Sequence, residues 1–347
     1  MIGFKERAQF IKNRLKNGQY SPDICHENAF KDHLLHYRDF ESKEAFTDAV
    51  RQKFLSVLGD MPPETEPTVR EEYRKDKGKY TEIRLLIETE KDCVCPCFLL
   101  LPKGVKKPPV VICLQGHSNG MMISLGEGYC AKDRRKIAGD RDFGLQAIDH
   151  GYAAMLVEQR GFGERRSKMH IKGGVVCDHL AHNALLLGRT LIGERLWDVK
   201  QVINVLETRD DVDANKLGIM GNSGGGTASY YAACFDERIK IAMPSCALCT
   251  YKDSIGAMKH CACNYLPSAA KYFDMGELSC LIYPRPLVIV SGRWDPIFPL
   301  EGAKNVVSVM KEIYADKPEN LSHFIGNGKH RFYADAWKLF DGYMKKL

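Results

Sequence analysis

Residues 216–226 read KLGIMGNSGGG, so an apolar run leads directly into Ser223, which has glycines on both sides. A helical pattern, Gly225–Phe235, follows at once. The order strand, turn, helix is the setting that the pattern G-x-S-x-G requires. Glycines beside the serine remove side chains that would clash in a sharp, strained turn. The turn is therefore predicted to push the Ser223 hydroxyl out at the edge of a sheet, next to a helix N-terminus that favours negative charge.

A glycine-rich phosphate loop is the alternative interpretation of this stretch, because Gly221-x-x-Gly224 also occurs in nucleotide-binding folds. No G-K-[ST] follows, and the full G-x-G-x-x-G is absent. The strand–turn–helix context favours the nucleophile turn.

The same alternation of strand and helix continues through most of the chain. Six apolar runs predict buried strands: Pro109–Gly116, Tyr152–Val157, Lys216–Met220, Ile239–Met243, Pro286–Val290 and Asn320–Ile325. Four stretches show helical patterns: Asn183–Thr208, Gly225–Phe235, Glu301–Tyr314 and Ala334–Leu347. Strands that are buried on both faces and alternate with helices predict an α/β fold, with a mostly parallel central sheet and helices on both faces. Reactive groups in such sheets lie at the carboxyl ends of the strands.

The chain is predicted to divide near residue 79. Residues 1–78 are interpreted as an N-terminal helical extension, with helical character to about residue 75; apolar side chains recur at helical spacing at Phe46, Val50, Phe54, Leu55 and Leu58. Residues 79–347 form the predicted catalytic domain. It opens with a hairpin, TEIRLLIETE and CVCPCFLLLP joined by Lys91-Asp92.

Two long excursions interrupt this domain, near residues 121–150 and 249–283. The first is charged and the second carries the aromatic residues Tyr251, Tyr265, Tyr272 and Phe273. Long excursions at the reactive edge act as lids or pocket walls, and surface decoration is the alternative.

The overall composition excludes some classes of function. Hydrophobic residues make up 44% and charged residues 27% of 347, which is typical of a soluble globular protein. The net charge of +6 comes without a long basic tract interleaved with aromatics, so no nucleic-acid partner is expected. The basic clusters Lys132–Lys136 and Glu164–Lys168 are interpreted as solvated loops, with a site for acidic substrates as the alternative. No apolar stretch has the length of a signal peptide or a membrane span, which predicts a cytoplasmic protein with no membrane partner.

Thirteen cysteines raise the question of disulfides or metal. In a cytoplasmic chain of this length they are expected to be reduced thiols, many of them small core residues such as Cys93, Cys95 and Cys97 on one strand face. The pair Cys246/Cys249 and the stretch Cys261–Cys263 lack zinc-ribbon spacing. Cys177, His179 and His182 form a closer group, for which structural zinc is the minor alternative. We expect neither a metal nor a cofactor.

A serine hydroxyl needs a base, and the base needs an acid to orient it. Asp295 follows the strand Pro286–Val290 closely and is the predicted acid, with a turn role before Pro296 as the alternative. Asp253 and Asp274 are weaker candidates because neither closes a strand.

His330 is the predicted base. It lies in the glycine-containing loop Gly326-Asn327-Gly328-Lys329-His330, after the last predicted strand and before the C-terminal helix. A surface role is the alternative, whereas His323, inside the strand pattern, is interpreted as structural. The order serine, acid, base is the one expected for this kind of site.

An oxyanion that forms at the site needs backbone donors. One is the predicted N–H of Gly224, after the nucleophile, and the second is that of His117, in the loop after an early strand. The His117 side chain is a further candidate for lining the pocket.

Six stretches carry a resemblance to a known family: QGHSNG, EQRGFGE, GRTLIGERLWDV, GIMGNSGGG, SGRWDPIFP and GNGKHRF. From about residue 80 to the end, the chain resembles the α/β-hydrolase superfamily, and more narrowly its dienelactone-hydrolase-like and acetyl-xylan-esterase-like branch. The resemblance implies Ser223 as nucleophile, Asp295 as acid and His330 as base, with the amides of His117 and Gly224 in the oxyanion hole. Gln115-Gly116 departs from the His-Gly of many relatives. The serine nucleophile, in place of the cysteine of dienelactone hydrolases proper, favours esterase chemistry.

The expected activity is hydrolysis of carboxylic esters, acetyl or other short-acyl esters first, with a small molecule or a carbohydrate as the partner. A peptidase on the same fold and a non-catalytic binding protein on this scaffold are the alternatives. A fold by itself does not choose among them. The sequence leaves the oligomeric state open.

Overall fold

The structure is a computed structural model that describes residues 3–18, 21–30, 32–170 and 177–347. In these residues nine strands form one sheet, in the order β1-β2-β3-β5-β4-β6-β7-β8-β9. The strands are β1 Thr68–Asp76, β2 Tyr80–Glu90, β3 Cys93–Pro102, β4 Pro109–Leu114, β5 Ala153–Val157, β6 Asp213–Asn222, β7 Ile241–Ser245, β8 Leu287–Gly292 and β9 Leu321–Gly326.

The first three strands pair antiparallel, β3 also pairs antiparallel with β5, and the six strands from β5 to β9 in the sheet order run parallel. The predicted hairpin of β2 and β3 is confirmed, and Asp92 in its turn has φ 63°. The α/β-hydrolase fold expected from the sequence is present.

Helices cover both faces of the sheet. The α-helices of the described residues are α1 Phe4–Asn17, α2 Asp23–Ala29, α3 Lys43–Leu58, α4 Ala131–Ile137, α5 Phe143–Asp149, α6 Asp178–Leu186, α7 Leu191–Glu207, α8 Gly224–Phe235, α9 Ala269–Tyr272, α10 Leu300–Ile313 and α11 Trp337–Met344. Strand β4 shows how the layers form. Val110, Ile112 and Leu114 face a core shared with α3, α7, α8 and α10. The alternate residues Val111 and Cys113 face a second core, shared with α5 and α11.

Two expected elements differ from the structure. Residues 68–76 were expected to continue the helical extension, but they form the edge strand β1. The sequence of β1, TVREEYRKD, is exposed along nearly its whole length and therefore shows no alternation of apolar residues. Hydrogen bonding to β2 holds the strand in the sheet. The predicted helix Asn183–Thr208 is two helices. The chain turns at Gly188, where φ is 74°, and Thr190 then caps α7 by accepting a hydrogen bond from the N–H of Gly193 at 3.0 Å.

A buried ion-pair network holds the loop after β5 against α7. Asp198, 1% exposed, accepts hydrogen bonds from Arg160 Nε at 3.0 Å and from Arg165 Nη1 at 2.6 Å. Thr89 on β2 donates a third at 2.6 Å. Burial raises the pKa of Asp198, but the two arginines outweigh it and lower it to about 2. These paired charges therefore connect the loop after β5 and strand β2 to helix α7.

In the described part of the chain, no helix is both long enough and apolar enough to span a bilayer.

Candidate active site

The turn between β6 and α8 presents Ser223 at the carboxyl end of the sheet. Its backbone has φ 59° and ψ −129°, a strained conformation for a residue with a side chain. Close approach to β4 requires the neighbouring glycines. A Cβ atom at Gly225 would lie 2.1 Å from the carbonyl oxygen of Leu114. The N–H of Ser223 donates to the carbonyl oxygen of Ser245 on β7 at 2.8 Å, and the side chain is half-buried.

Asp295 and His330 are joined directly. Nδ1 of His330 lies 2.8 Å from Oδ2 of Asp295, whose side chain is fully buried. The other carboxylate oxygen accepts hydrogen bonds from the N–H groups of Ile297 and Phe298, at 2.8 and 3.1 Å. Burial raises the pKa of Asp295, but the hydrogen bond from His330 and the two N–H donors outweigh it and lower it overall. The carboxylate is therefore charged at neutral pH and holds the imidazole with its proton on Nδ1.

Two further side chains fix His330. The ring of Phe298 stacks on the imidazole, with centroids 5.9 Å apart and 13° between the planes. Arg141 donates from Nη2 to the carbonyl oxygen of His330 at 3.0 Å. Burial lowers the pKa of Arg141 to about 10, so it stays charged at neutral pH. Arg141 belongs to the first long excursion, which therefore supports the base.

The end of β7 connects the serine turn to the histidine loop. Ser245 accepts from the N–H of Ser223, and the next residue, Cys246, donates from Sγ to the carbonyl oxygen of Arg331 at 3.1 Å. The thiol sulfur also lies within 4.8 Å of a carboxylate oxygen of Asp295 and of a ring nitrogen of His330. Burial raises the pKa of Cys246 to about 12, so it stays a protonated thiol. The sequence analysis considered Cys246 only in the pair Cys246/Cys249, which lacks zinc-ribbon spacing, and no local pattern places it beside Asp295.

The two predicted oxyanion donors come from adjacent backbone segments. A Cβ atom at Gly116 would lie 2.9 Å from Cβ of Ser223, and one at Gly224 would lie 2.8 Å from Cε1 of the His117 ring. The loop after β4 therefore lies directly on the serine turn. Lys136 donates from Nζ to the carbonyl oxygen of His117 at 2.5 Å, which fixes the loop from the other side.

Gln115 anchors the same loop. Its Nε2 donates to Ser124 Oγ at 2.7 Å and to the carbonyl oxygen of Arg141 at 2.6 Å. The backbone carbonyl oxygen of Gln115 accepts a hydrogen bond from Nε2 of Gln159 at 2.5 Å. These buried hydrogen bonds connect the loop after β4 to the first excursion and to the loop after β5.

A family model described as the Abhydrolase family matches residues 23–335, which is most of the chain. The chain belongs to the Abhydrolase family. It is 26% identical over 271 residues to "Putative hydrolase YtaP" of Bacillus subtilis (strain 168), a match that covers 76% of this chain and 87% of the Bacillus protein. Membership of this family identifies the protein as a hydrolase.

Solved structures share the fold of this Abhydrolase-family protein. A "putative acetyl xylan esterase" from Bacteroides fragilis NCTC 9343 is 19% identical with a TM-score of 0.74, covering 87% of this chain and 81% of that one. A glucuronoyl esterase from Solibacter usitatus is 16% identical with a TM-score of 0.68, covering 90% and 96%. At these identities the likeness shows the fold alone.

The second long excursion of the Abhydrolase-family protein is built into its interior. Tyr251 and Phe273 are buried in the core shared with α8, whereas Tyr265 is 44% exposed. Tyr265 and Met258 line a cavity of about 1440 Å³ between α2, this excursion and the start of α10. Ser223, Asp295 and His330 are not among its lining residues. The second excursion therefore forms one wall of a cavity that lies apart from Ser223, Asp295 and His330.

The structure also groups cysteines that the sequence did not group. His117, Cys177, Cys261 and Cys263 place their side-chain N and S atoms within 4.8 Å of one another. Cys177 was associated with His179 and His182 because they are neighbours in sequence. In the described residues its partners in this cluster come instead from the β4 loop and from the second excursion.

Proposed function

We propose that this protein is a serine esterase in which Ser223 is the nucleophile, His330 the general base and Asp295 the orienting acid. The observation that carries the proposal is the 2.8 Å hydrogen bond between a buried carboxylate and His330, at the same sheet edge as a serine with φ 59°. A strained serine turn and a preset acid–base pair together have no evident use in a protein that only binds.

The proposed reaction is acyl transfer in two steps. His330 takes the Ser223 proton on Nε2 while Oγ attacks the ester carbonyl, and Asp295 stabilises the imidazolium that results. The tetrahedral intermediate collapses, His330 returns the proton to the leaving alcohol, and an acyl-enzyme remains. Water then attacks the acyl group with the same base, and the acid is released with Ser223 restored.

The proposed oxyanion donors are the N–H groups of Gly224 and His117. Both belong to segments held in place by backbone contacts, so the donors need little reorganisation when charge develops on the carbonyl oxygen. The N-terminus of α8, which begins at Gly224, adds its partial positive charge.

We propose acetyl or other short-acyl esters as substrates, on a small molecule or a carbohydrate. The names of the structural relatives, acetyl xylan esterase and glucuronoyl esterase, support a carbohydrate ester. All thirteen cysteines are free, which accords with the proposed cytoplasmic location.

The test is hydrolysis of p-nitrophenyl acetate, butyrate and octanoate and of an acetylated sugar. We expect turnover that is fastest on acetate and that falls by roughly 10³-fold or more in Ser223→Ala, the scale of triad removals. Ser56→Ala, a change on the exposed surface of α3, is the control and should keep the wild-type rate.

Wild-type protein that is folded yet hydrolyses none of these esters would contradict the esterase proposal. Turnover that favours octanoate would keep the mechanism and contradict the short-acyl preference.

A further inference from the structure

Four potential metal ligands meet beside the serine turn, from three separate parts of the chain. His117 follows β4, Cys177 is the N-cap of α6, and Cys261 and Cys263 lie in the second excursion. Nε2 of His117 is 3.1 Å from Sγ of Cys263, which is 3.3 Å from Sγ of Cys261. Cys177 and Cys263 are each 1% exposed, so the cluster is largely closed to solvent.

We propose that this cluster is a four-coordinate zinc site of the Cys₃His type. Zinc binds thiolate sulfur at about 2.3 Å and imidazole nitrogen at about 2.0 Å, so tetrahedral coordination places two sulfurs about 3.8 Å apart and nitrogen and sulfur about 3.5 Å apart. The observed separations of 3.3 and 3.1 Å, with all four ligand atoms within 4.8 Å of one another, need only small movements to reach that geometry. Three soft sulfur ligands with one imidazole select zinc over magnesium or calcium.

The charge around the cluster fits a bound zinc. One Zn²⁺ with three thiolates and a neutral imidazole has a net charge of −1. The guanidinium of Arg195, 1% exposed, supplies the balancing charge, since its Nη2 lies 3.3 Å from Sγ of Cys177. The same guanidinium is fixed from behind by the carbonyl oxygen of Arg160 at 2.7 Å and by the ring of Phe162 at 4.5 Å.

The neighbouring backbone also holds the two excursion cysteines in place. Asp178, next to Cys177, accepts a hydrogen bond from the N–H of Ala262 at 3.2 Å, and its Oδ1 lies 3.8 Å from Sγ of Cys261. The start of α6 and the turn 261–263 are therefore already connected where the ligands converge. Four protein ligands leave no open position, so the site is structural and does not activate water.

The site joins the second excursion to the loop that carries a proposed oxyanion donor. Zinc bound at Nε2 of His117 leaves the proton on Nδ1, and this side of the ring lies against Gly224. If the esterase proposal is correct, loss of zinc should loosen the oxyanion loop and lower kcat. That consequence rests on the proposed function, whereas the metal site itself does not.

The direct test is the metal content of full-length protein purified under reducing conditions and equilibrated with zinc, measured by plasma mass spectrometry. We expect one zinc ion per chain, and visible ligand-field bands of tetrahedral thiolate coordination when cobalt(II) replaces it. Both readouts are independent of esterase activity.

Cys263→Ser and Cys177→Ser should each lose at least tenfold in zinc affinity, measured by competition with a chromogenic chelator. Cys280→Ser is the matched control, because Cys280 is buried, free and outside the cluster. If the two ligand variants fail to fold, the wild-type zinc content and cobalt spectrum still decide.

Folded wild-type protein that holds well below one equivalent of zinc would overturn the proposal. A cobalt spectrum without thiolate coordination would overturn it as well, and so would a disulfide between any two of the three cysteines in protein kept under reductant.

Discussion

Among single residues, Glu158 lies in the loop behind the candidate active site, and its burial favours the protonated form of the carboxyl group. Its side chain follows β5, is 2% exposed and accepts a hydrogen bond from the N–H of Met121 at 3.2 Å. Burial raises the pKa of Glu158 from 4.5 to about 7, although Met121 and Arg165 favour the charged form. The folded protein thus holds a proton that the unfolded chain releases.

Glu158→Gln should therefore flatten the pH dependence of stability. Between pH 4.5 and about 7 the unfolded state has lost this proton and the folded state keeps it, so stability falls as pH rises through that window. The accumulated loss is about 3 kcal/mol, and the variant should lack it. Urea unfolding at pH 5, 6, 7 and 8 measures the difference.

Glu301→Gln, with a side chain that is 79% exposed, is the control and should follow the wild-type curve. A Glu158→Gln curve that runs parallel to the wild type over the whole range would contradict the buried, protonated state.

The positions of the three predicted triad residues at the sheet edge could be predicted from the sequence because each follows an apolar run closely. Ser223, Asp295 and His330 stand near the ends of β6, β8 and β9, where local sequence is informative. Cys246 and Arg141 also contact this site, but they depend on contacts between distant segments. Arg141 reaches His330 across a separation of 189 residues, and no local pattern records such a contact.

Among the secondary-structure elements, the turn from β6 to α8 depends on close backbone packing against β4. Gly225→Ala should be destabilised by about 3 kcal/mol or more, because the added methyl would lie 2.1 Å from the carbonyl oxygen of Leu114 and 2.5 Å from that of Gln115. Thermal unfolding measures the loss.

Gly342→Ala is the matched helical control. Nothing lies within 4 Å of the Cβ position at Gly342 in α11, so alanine there should stabilise the protein by about 0.5–1 kcal/mol. Equal effects of the two substitutions on stability would show that the steric clash predicted at Gly225 is wrong.

The elements that the sequence predicted were those with an apolar signal. Strands β4 to β9 are short apolar runs, buried on both faces except at the β9 edge, and all six were expected. Strand β1 was missed because its exposed, charged sequence shows neither helical nor strand periodicity. The break between α6 and α7 was missed because Leu185, Leu186 and Leu187 continue an apolar pattern while their side chains are exposed.

At the scale of the whole molecule, the N-terminal residues contribute unequally. Helix α1 is almost wholly exposed, with Phe4 at 88% and Ile11 at 55%. Helix α3 belongs to the core, where Phe46 and Val50 are fully buried and the ring of Phe54 lies 5.9 Å from that of Tyr231 on α8. The stable unit therefore includes α3, and α1 lies outside it.

Deletion of residues 1–20 should change the free energy of unfolding by less than about 0.5 kcal/mol, as surface changes do. Phe46→Ala should lower the free energy of unfolding by about 3–5 kcal/mol, because it leaves a cavity in the core. Denaturant unfolding of both variants makes the comparison. A deletion that lowers the free energy of unfolding as much as Phe46→Ala does would show that α1 belongs to the folded core.

Long-range convergence is also why the Cys₃His cluster could not be predicted. His117 and Cys263 are 146 residues apart, and their side chains are in contact. Among the cluster residues the sequence shows only Cys261-x-Cys263 and the isolated Cys177-x-His179, and neither has the spacing of a known zinc motif.

Covalent labelling by a fluorophosphonate tests whether Ser223 is an activated nucleophile. Peptide mapping should find a single adduct, on Ser223, formed by wild-type protein and by the control Ser229→Ala, which changes a buried serine further along α8. His330→Ala should label at least about tenfold more slowly, because the base is gone. Labelling of Ser223→Ala at the wild-type rate, or no labelling of folded wild-type protein, would show that Ser223 is not an activated nucleophile.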